Sequence, residues 1–170
     1  NIFHKLTLGC FQVEEARELI EQPSRAAGFP LEPYGPFILR LAGSFPFFLQ
    51  LTCSSFFEFH RDHPQEKADL AAIWQLFYEE ARDHFAYIWD HLSERDRALC
   101  LKVKAQEPLS EADRRFLDIL TRRGYILQSA SGPSLFSDSF NVFLEEKTAA
   151  AVSGAGTSPP AAHEMEVAKQ

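Results

Sequence analysis

Hydrophobic residues recur every three or four positions over most of the chain, which is the spacing of amphipathic helices. In the first half of the sequence this pattern predicts four helices, over residues 13–22, 34–42, 46–60 and 67–91. Pro23 is expected to end the first helix and Gly43 the second, while Pro46 suits the first turn of the third, where a missing N–H costs nothing. Together these helices predict a bundle over residues 9–91.

The second half of the chain has shorter elements with clear boundaries. Helices are predicted over about 94–104 and 111–123, and each follows a serine that has an aspartate three residues later, as in a capping box. The segment GYILQSASGPSLFSDSF then reads as two strands around a Ser-Gly-Pro tip, and Ser137 can cap a final helix through about Glu146. Helix, helix and hairpin is the order of a winged helix-turn-helix, which we predict for residues 92–146, with 111–123 in the position of the recognition helix.

The two ends of the sequence differ from this pattern. Residues 1–8 alternate loosely between apolar and polar, and we expect them to be the end of a missing upstream domain or a connector from it. Residues 147–170 are rich in Ala, Ser, Gly and Pro, which predicts a flexible, disordered linker towards a further domain. The predicted fold class is therefore mainly α, with one small β-hairpin and a disordered C-terminal tail.

Composition narrows the classes of function. The net charge of -7 disfavours a protein that binds nucleic acid over its whole surface. Three cysteines without a CxxC pair indicate neither a disulfide framework nor a zinc ribbon, which fits a reducing cytoplasm. No apolar run approaches the roughly 20 residues that span a bilayer, so we expect no membrane segment. The 16 phenylalanines fall mostly at helical spacings and are expected to be packing residues.

Candidate chemistry in the sequence is sparse. The chain has no GxxxxGK[ST] phosphate loop, no apolar run ending in paired acids for magnesium, and no GxSxG elbow, so we expect no catalytic residue in it. His60 and His63 could share a helix face as metal ligands, but Pro64 follows at once and no convincing third ligand is present. We therefore predict no metal site.

The most specific motif is Gly43-Ser44-Phe45-Pro46. It resembles the Gly-x-Pro motif in the helical lid of STAND-class signal-transduction ATPases, relatives of the AAA+ proteins. The preceding LGCFQVEEARELIEQPSRAAGF resembles the opening of that lid, and DRRFLDILTRRGYILQ with LFSDSFNVFLEE resembles the winged helix that follows it. The resemblance covers about residues 3–146 and does not include the P-loop core of that family.

This resemblance implies a regulatory segment of a larger ATP-dependent switch. In that family the lid folds over a nucleotide held by the upstream core, which implies that Gly43 and Pro46 approach ATP or ADP and that magnesium is bound only by the missing core. The implied partners are that P-loop core and a downstream effector domain of the same chain. GSFPFFL has no phosphate-sensing arginine, so sensing would occur through packing, and Arg40 is a weak candidate for a phosphate contact. Five aromatic residues would supply packing with two discrete arrangements: Phe45, Phe47, Phe48, Trp74 and Trp89.

Two other functions stay open. A winged-helix module that binds DNA is indicated by four basic residues of the predicted recognition helix, Arg114, Arg115, Arg122 and Arg123. Against it, the same helix contains three acidic residues and the SASGPS wing has no basic one. The other alternative is a helical adaptor that binds a protein partner. A continuous basic face on 111–123 would favour DNA, whereas an exposed aromatic patch on 43–60 would favour an ATPase core or a partner.

Overall fold

The computed structural model describes residues 10–154, which form seven α-helices and one β-hairpin. The helices are α1 (Val13–Ala26), α2 (Gly35–Ala42), α3 (Pro46–Asp62), α4 (Leu70–His91), α5 (Glu94–Lys104), α6 (Glu111–Arg122) and α7 (Asp138–Gly154). The strands are β1 (Ile126–Ser129) and β2 (Gly132–Leu135), and a single 3-10 turn covers Glu32–Tyr34. The predicted fold class, mainly α with a small hairpin, is confirmed. The connector predicted for residues 1–8 and the tail over 155–170 lie outside the described residues.

The first helix does not end at Pro23, contrary to the prediction from the sequence. It continues to Ala26, and the amide of Ala27 donates to the carbonyl oxygen of Pro23 at 2.9 Å. Proline removes a single helical hydrogen bond, and here it does so close to the helix end. The buried Ser24 stabilises this last turn, because its hydroxyl donates to the carbonyl of Glu21 (3.0 Å) and accepts from the amide of Leu31 (3.1 Å).

The last helix is also longer than predicted. It continues past Glu146 to Gly154, so residues 147–154, which we expected in the linker, are helical. The run contains three consecutive alanines, the residue with the highest helix propensity, and the hydroxyl of Thr148 donates back to the carbonyl of Leu144 at 2.9 Å. Composition predicted a linker here because small residues are common both in linkers and in helices.

The hairpin pairs β1 with β2 in antiparallel register, from Ile126 opposite Leu135 to Ser129 opposite Gly132. Ile126 and Leu135 are buried, which turns one face of the hairpin towards the helices. Helices α5 and α6 pack against this face, since α5 contacts β2 and α6 contacts β1.

A single aromatic core joins the first four helices to the rest of the chain. Phe85 of α4 is fully buried, and its ring lies 4.7 Å from Phe48 of α3 and 5.5 Å from Phe140 of α7. The ring of Phe136, directly after the hairpin, is 6.2 Å from Phe85. Helix α7 packs on both α2 and α4, so it returns to the bundle. Within residues 10–154, none of the helices combines the length and the hydrophobicity needed to cross a bilayer.

The N-terminus of α6 carries the predicted capping box. Oδ2 of Asp113 accepts from the amide (3.0 Å) and the hydroxyl (2.8 Å) of Ser110, and Nζ of Lys102 donates to it at 2.9 Å. The hydrogen bonds from Lys102 and Ser110 lower the pKa of Asp113 to about 2. Ser93 caps α5 in a simpler way, by accepting from the amide of Asp96.

We expect Asp113→Asn to lower the urea midpoint at pH 7 because it removes the charge that holds Lys102. The pKa of Asp113 is lower in the folded state than the ordinary value of about 4, so its stabilisation is fully present above that value and is lost as pH falls towards about 2. The difference between the wild type and the variant should therefore shrink from pH 5 to pH 2, measured by urea denaturation. A difference that does not change with pH would contradict this assignment, and Asp83→Asn, an exposed change on α4, is the control.

Candidate functional site

Gly43 lies between α2 and α3, where its conformation and its surroundings both require glycine. Its φ of 63° and ψ of −150° fall in a region that side chains rarely adopt. A Cβ at this position would lie 2.5 Å from the carbonyl oxygen of Phe136 and 2.9 Å from its ring. The first residue of the motif therefore touches the backbone at the end of the hairpin.

Pro46 is the first residue of α3 and is half-buried. At that position its missing N–H leaves no helical hydrogen bond unmade. The helix begins with the amide of Leu49 donating to the carbonyl of Phe45 at 2.9 Å. Just before it, the carbonyl of Ser44 accepts from the amide of Phe11 at 2.9 Å. The motif therefore pairs directly with the segment that precedes α1.

The ring of Phe45 lies where three segments meet: the motif, the start of the described chain and the turn between α6 and β1. Its ring lies 4.7 Å from that of Phe136 and 5.9 Å from that of Tyr125. Gly124 has a φ of 80°, and a Cβ there would overlap Sγ of Cys10 and lie 3.3 Å from the Phe45 ring. Burial raises the pKa of the Cys10 thiol to about 11, so this cysteine is a packing residue and not a thiolate nucleophile at neutral pH.

A buried hydroxyl network connects the end of α2 with the start of α7. The hydroxyl of Ser139 donates to the carbonyl of Leu41 and lies 3.1 Å from the hydroxyl of Ser137. The Ser137 hydroxyl accepts from the amide of Phe140 at 3.1 Å, which confirms Ser137 as the predicted cap of the last helix. Both serines are buried, so a relative movement of α2 and α7 would leave polar groups without partners.

An exposed row of rings, which we call the aromatic stripe, starts beside the motif. It consists of Phe47, His84, Tyr87 and His91. Phe47 is 46% exposed and its ring lies 4.3 Å from that of His84. Tyr87 is 65% exposed and its ring lies 3.9 Å from that of His91. Aromatic side chains are enriched at surfaces that bind a partner or another domain, so the aromatic stripe is a candidate for such a surface.

The other aromatic residues named from the sequence are packing residues. Phe48 is buried, and Phe45, Trp74 and Trp89 are partly buried against the core. Phe47 alone among the five has an exposed side chain in the structure.

The remaining candidates from the sequence do not assemble into a site. Arg40 is exposed and forms no ion pair with another residue of 10–154. The ring of His60 stacks on that of Phe29 at 4.1 Å, and Nδ1 of His63 lies 3.1 Å from the carbonyl oxygen of Phe59. Over the part of the chain that is described, His, Cys, Asp and Glu form no group of three that could hold a metal ion.

The predicted recognition helix carries charges of both signs on its surface. Arg123 lies 3.9 Å from the carboxylate of Asp96, and Arg114 and Arg115 are exposed beside the exposed acid Asp118. The hairpin tip is Ala130-Ser131 and adds no charge. This distribution gives no continuous basic face on α6 and disfavours contact with a phosphate backbone.

The sequence indicated Gly43 and Pro46 as candidate nucleotide contacts and Phe47 as a packing residue, but it did not identify the residues that lie against this region. Phe136 and Ser139 touch the motif region from far along the chain, the hydrogen bond of Ser139 joining residues 98 positions apart. No local signal in the sequence identifies such a contact. The pairing of two restrictive glycines, Gly43 and Gly124, with the same aromatic cluster is visible only in three dimensions.

A comparison with known protein families gives a match that covers more than half of the chain. The family model described as Novel STAND NTPase 2 matches residues 1–109, which include α1 to α5 and the whole Gly43–Pro46 motif. No curated protein and no solved structure matches the chain. Helix α6, the hairpin and α7 lie beyond the matched residues.

Proposed function

The chain belongs to the Novel STAND NTPase 2 family, and we propose that it is the regulatory lid and winged-helix segment of a larger ATP-dependent signalling switch. In this proposal a P-loop core upstream of the described residues holds ATP or ADP with magnesium. The lid and winged-helix segment senses the nucleotide state and passes it to a downstream effector domain of the same chain.

The contact between Gly43 and Phe136 is the observation that carries this proposal. The motif lies against the end of the hairpin at this contact. The approach is so close that a Cβ added to Gly43 would lie 2.5 Å from the carbonyl oxygen of Phe136. A nucleotide that displaced the motif would therefore displace Phe136 as well, because packed interiors do not deform continuously.

The hydroxyl network supports transmission from the motif to α7. Leu41, two residues before Gly43, accepts a hydrogen bond from Ser139 in the first turn of α7. Separating the Ser139 hydroxyl from the Leu41 carbonyl would leave a buried hydrogen-bond donor without an acceptor, which costs about 1–3 kcal/mol. Movement of the end of α2 thus favours concerted movement of α7, and α7 leads directly towards the C-terminal end of the sequence.

The aromatic stripe supports a domain contact beside the motif. Phe47 follows Pro46 directly and exposes nearly half of its side chain. We propose that Pro46 and Phe47 face the nucleotide and the core, with Gly43 holding the backbone turn behind them. The absence of an arginine from GSFPFFL means that this surface would sense the nucleotide by packing rather than by charge.

The test is nucleotide affinity in a longer protein that includes the sequence upstream. We expect the longer protein to bind ATP and the 170-residue chain alone not to bind it. Pro46→Ala and Phe47→Ala should each weaken ATP binding about tenfold, equivalent to ~1.4 kcal/mol of contact. Leu127→Ala, on an exposed hairpin residue, is the control that should leave affinity unchanged. An upstream sequence without a phosphate loop, or unchanged affinity in both motif variants, would refute the nucleotide role.

A further inference from the structure

A groove outside the motif region lies between the hairpin and helices α5 and α6. Its volume is about 760 Å³, within the range of about 300–1,000 Å³ typical of binding sites for small ligands. Leu117 and Pro133 form apolar surface in this wing groove, and Gln106 and Gln128 contribute carboxamides. Gln128 is two residues after the buried Ile126, so it is on the face of β1 that turns towards the helices.

The charges around the wing groove favour a cation. Glu107, Asp118 and Arg114 line it, and none of these three side chains forms an ion pair with another residue in the described range 10–154. Two carboxylates outnumber one guanidinium. The charged side chains of the lining therefore carry a net negative charge, which favours a positively charged ligand over phosphate.

Gln106 lines this groove in a conformation that is unfavourable for a residue with a side chain. Its φ is 54°, and it is the one residue other than glycine with positive φ between residues 10 and 154. It follows the C-cap Ala105, with its amide donating to the carbonyl of Val103 (3.2 Å) and the amide of Glu107 to that of Lys102 (2.9 Å). Glycine is the favoured residue at this point of such a helix end. In this conformation the carboxamide of Gln106 lines the same groove as the carboxylates of Glu107 and Asp118.

We propose that the wing groove binds a short peptide segment in which a large apolar side chain is next to a lysine or arginine. The apolar side chain packs on Leu117 and Pro133, and the cation lies with Glu107 and Asp118. The carboxamides of Gln106 and Gln128 can donate to and accept from the peptide backbone, as amide side chains do in mostly apolar binding sites. This site goes beyond the nucleotide function and does not depend on it.

The test uses the 170-residue chain and amide chemical shifts in NMR. The probe is acetyl-Leu-Lys-Leu-amide, and the comparison ligands are acetyl-Leu-Glu-Leu-amide and a 12-base-pair DNA duplex. We expect the lysine peptide alone to shift the amides of residues 103–107, 109, 117–118 and 128. Absence of these shifts at millimolar peptide, equal shifts with the glutamate peptide, or shifts produced by the duplex instead would each overturn the proposal.

Substitutions separate a role in binding from a role in folding. Glu107→Gln with Asp118→Asn should weaken binding of the lysine peptide by roughly two- to fivefold for each removed charge, whereas Glu79→Gln with Glu80→Gln, exposed on α4, should not. Gln106→Gly should raise the urea midpoint and also weaken binding, since it relieves the backbone while removing the carboxamide. Unchanged affinity in both the charge variant and Gln106→Gly would overturn the assignment.

Discussion

Gly43→Ala is expected to lower the free energy of unfolding by roughly 3 kcal/mol or more. Two costs combine at this position. The added methyl group would approach the carbonyl oxygen of Phe136 at 2.5 Å, and the backbone angles of Gly43 belong to a region adopted almost only by glycine. Because the blocking atom belongs to the backbone, no change of side-chain rotamer can make room. Urea denaturation followed by circular dichroism measures the effect.

Gly28→Ala provides a matched control for this prediction. Gly28 also has a positive φ, 75°, but a Cβ there would meet no atom within 4 Å. We expect a loss of only about 1 kcal/mol, the ordinary cost of a left-handed residue with a side chain. Equal losses in the two variants would show that the approach of Gly43 to Phe136 contributes nothing.

Phe85→Ala is the second change with a large expected effect, a loss of about 3–5 kcal/mol. Its ring is fully buried and lies within 6.2 Å of the rings of Phe48, Phe136 and Phe140. The cavity would open at the junction of α3, α4, α7 and the end of the hairpin. Because the bundle and the C-terminal elements share this core, we expect one cooperative transition at a lower urea concentration.

Tyr87→Ala, two residues along the same helix, is the control for Phe85→Ala. Its side chain is 65% exposed, and we expect a change within about 0.5 kcal/mol. If Phe85→Ala instead produced two separate transitions, with α7 lost before the bundle, the shared core would not couple the two parts of the chain.

Much of the fold could be predicted because periodicity and caps are local properties. We predicted the capping box of Ser110 and Asp113, and the hairpin, from residues that are close together in the sequence. Two boundaries were wrong for physical reasons. Pro23 disrupts only one hydrogen bond near a helix end, and the alanine-rich run after Thr148 satisfies both helix and linker composition.

The candidate site was less predictable because it depends on contacts between distant parts of the chain. The sequence indicated Gly43 and Pro46. It did not indicate that Phe136 lies against Gly43, or that Ser139 donates a hydrogen bond to Leu41 at the end of α2. The wing groove was also missed, since residues such as Glu107 and Gln128 have ordinary types and only the packing of the hairpin on α6 brings them together. The arginines of α6 left DNA binding open as an alternative, although the acids of the same helix already argued against it; the structure adds that Asp118 is exposed beside Arg114 and Arg115.

The most direct test of the switch is hydrogen exchange in the longer protein with the upstream sequence, compared between its ATP-bound and ADP-bound states. We expect that protection of the amides of residues 43–45, 47–49 and 137–143 changes together between the two nucleotides, because Gly43 touches Phe136 and Leu41 accepts from Ser139. A change at 43–49 with none at 137–143, or no change in either segment, would contradict the coupling.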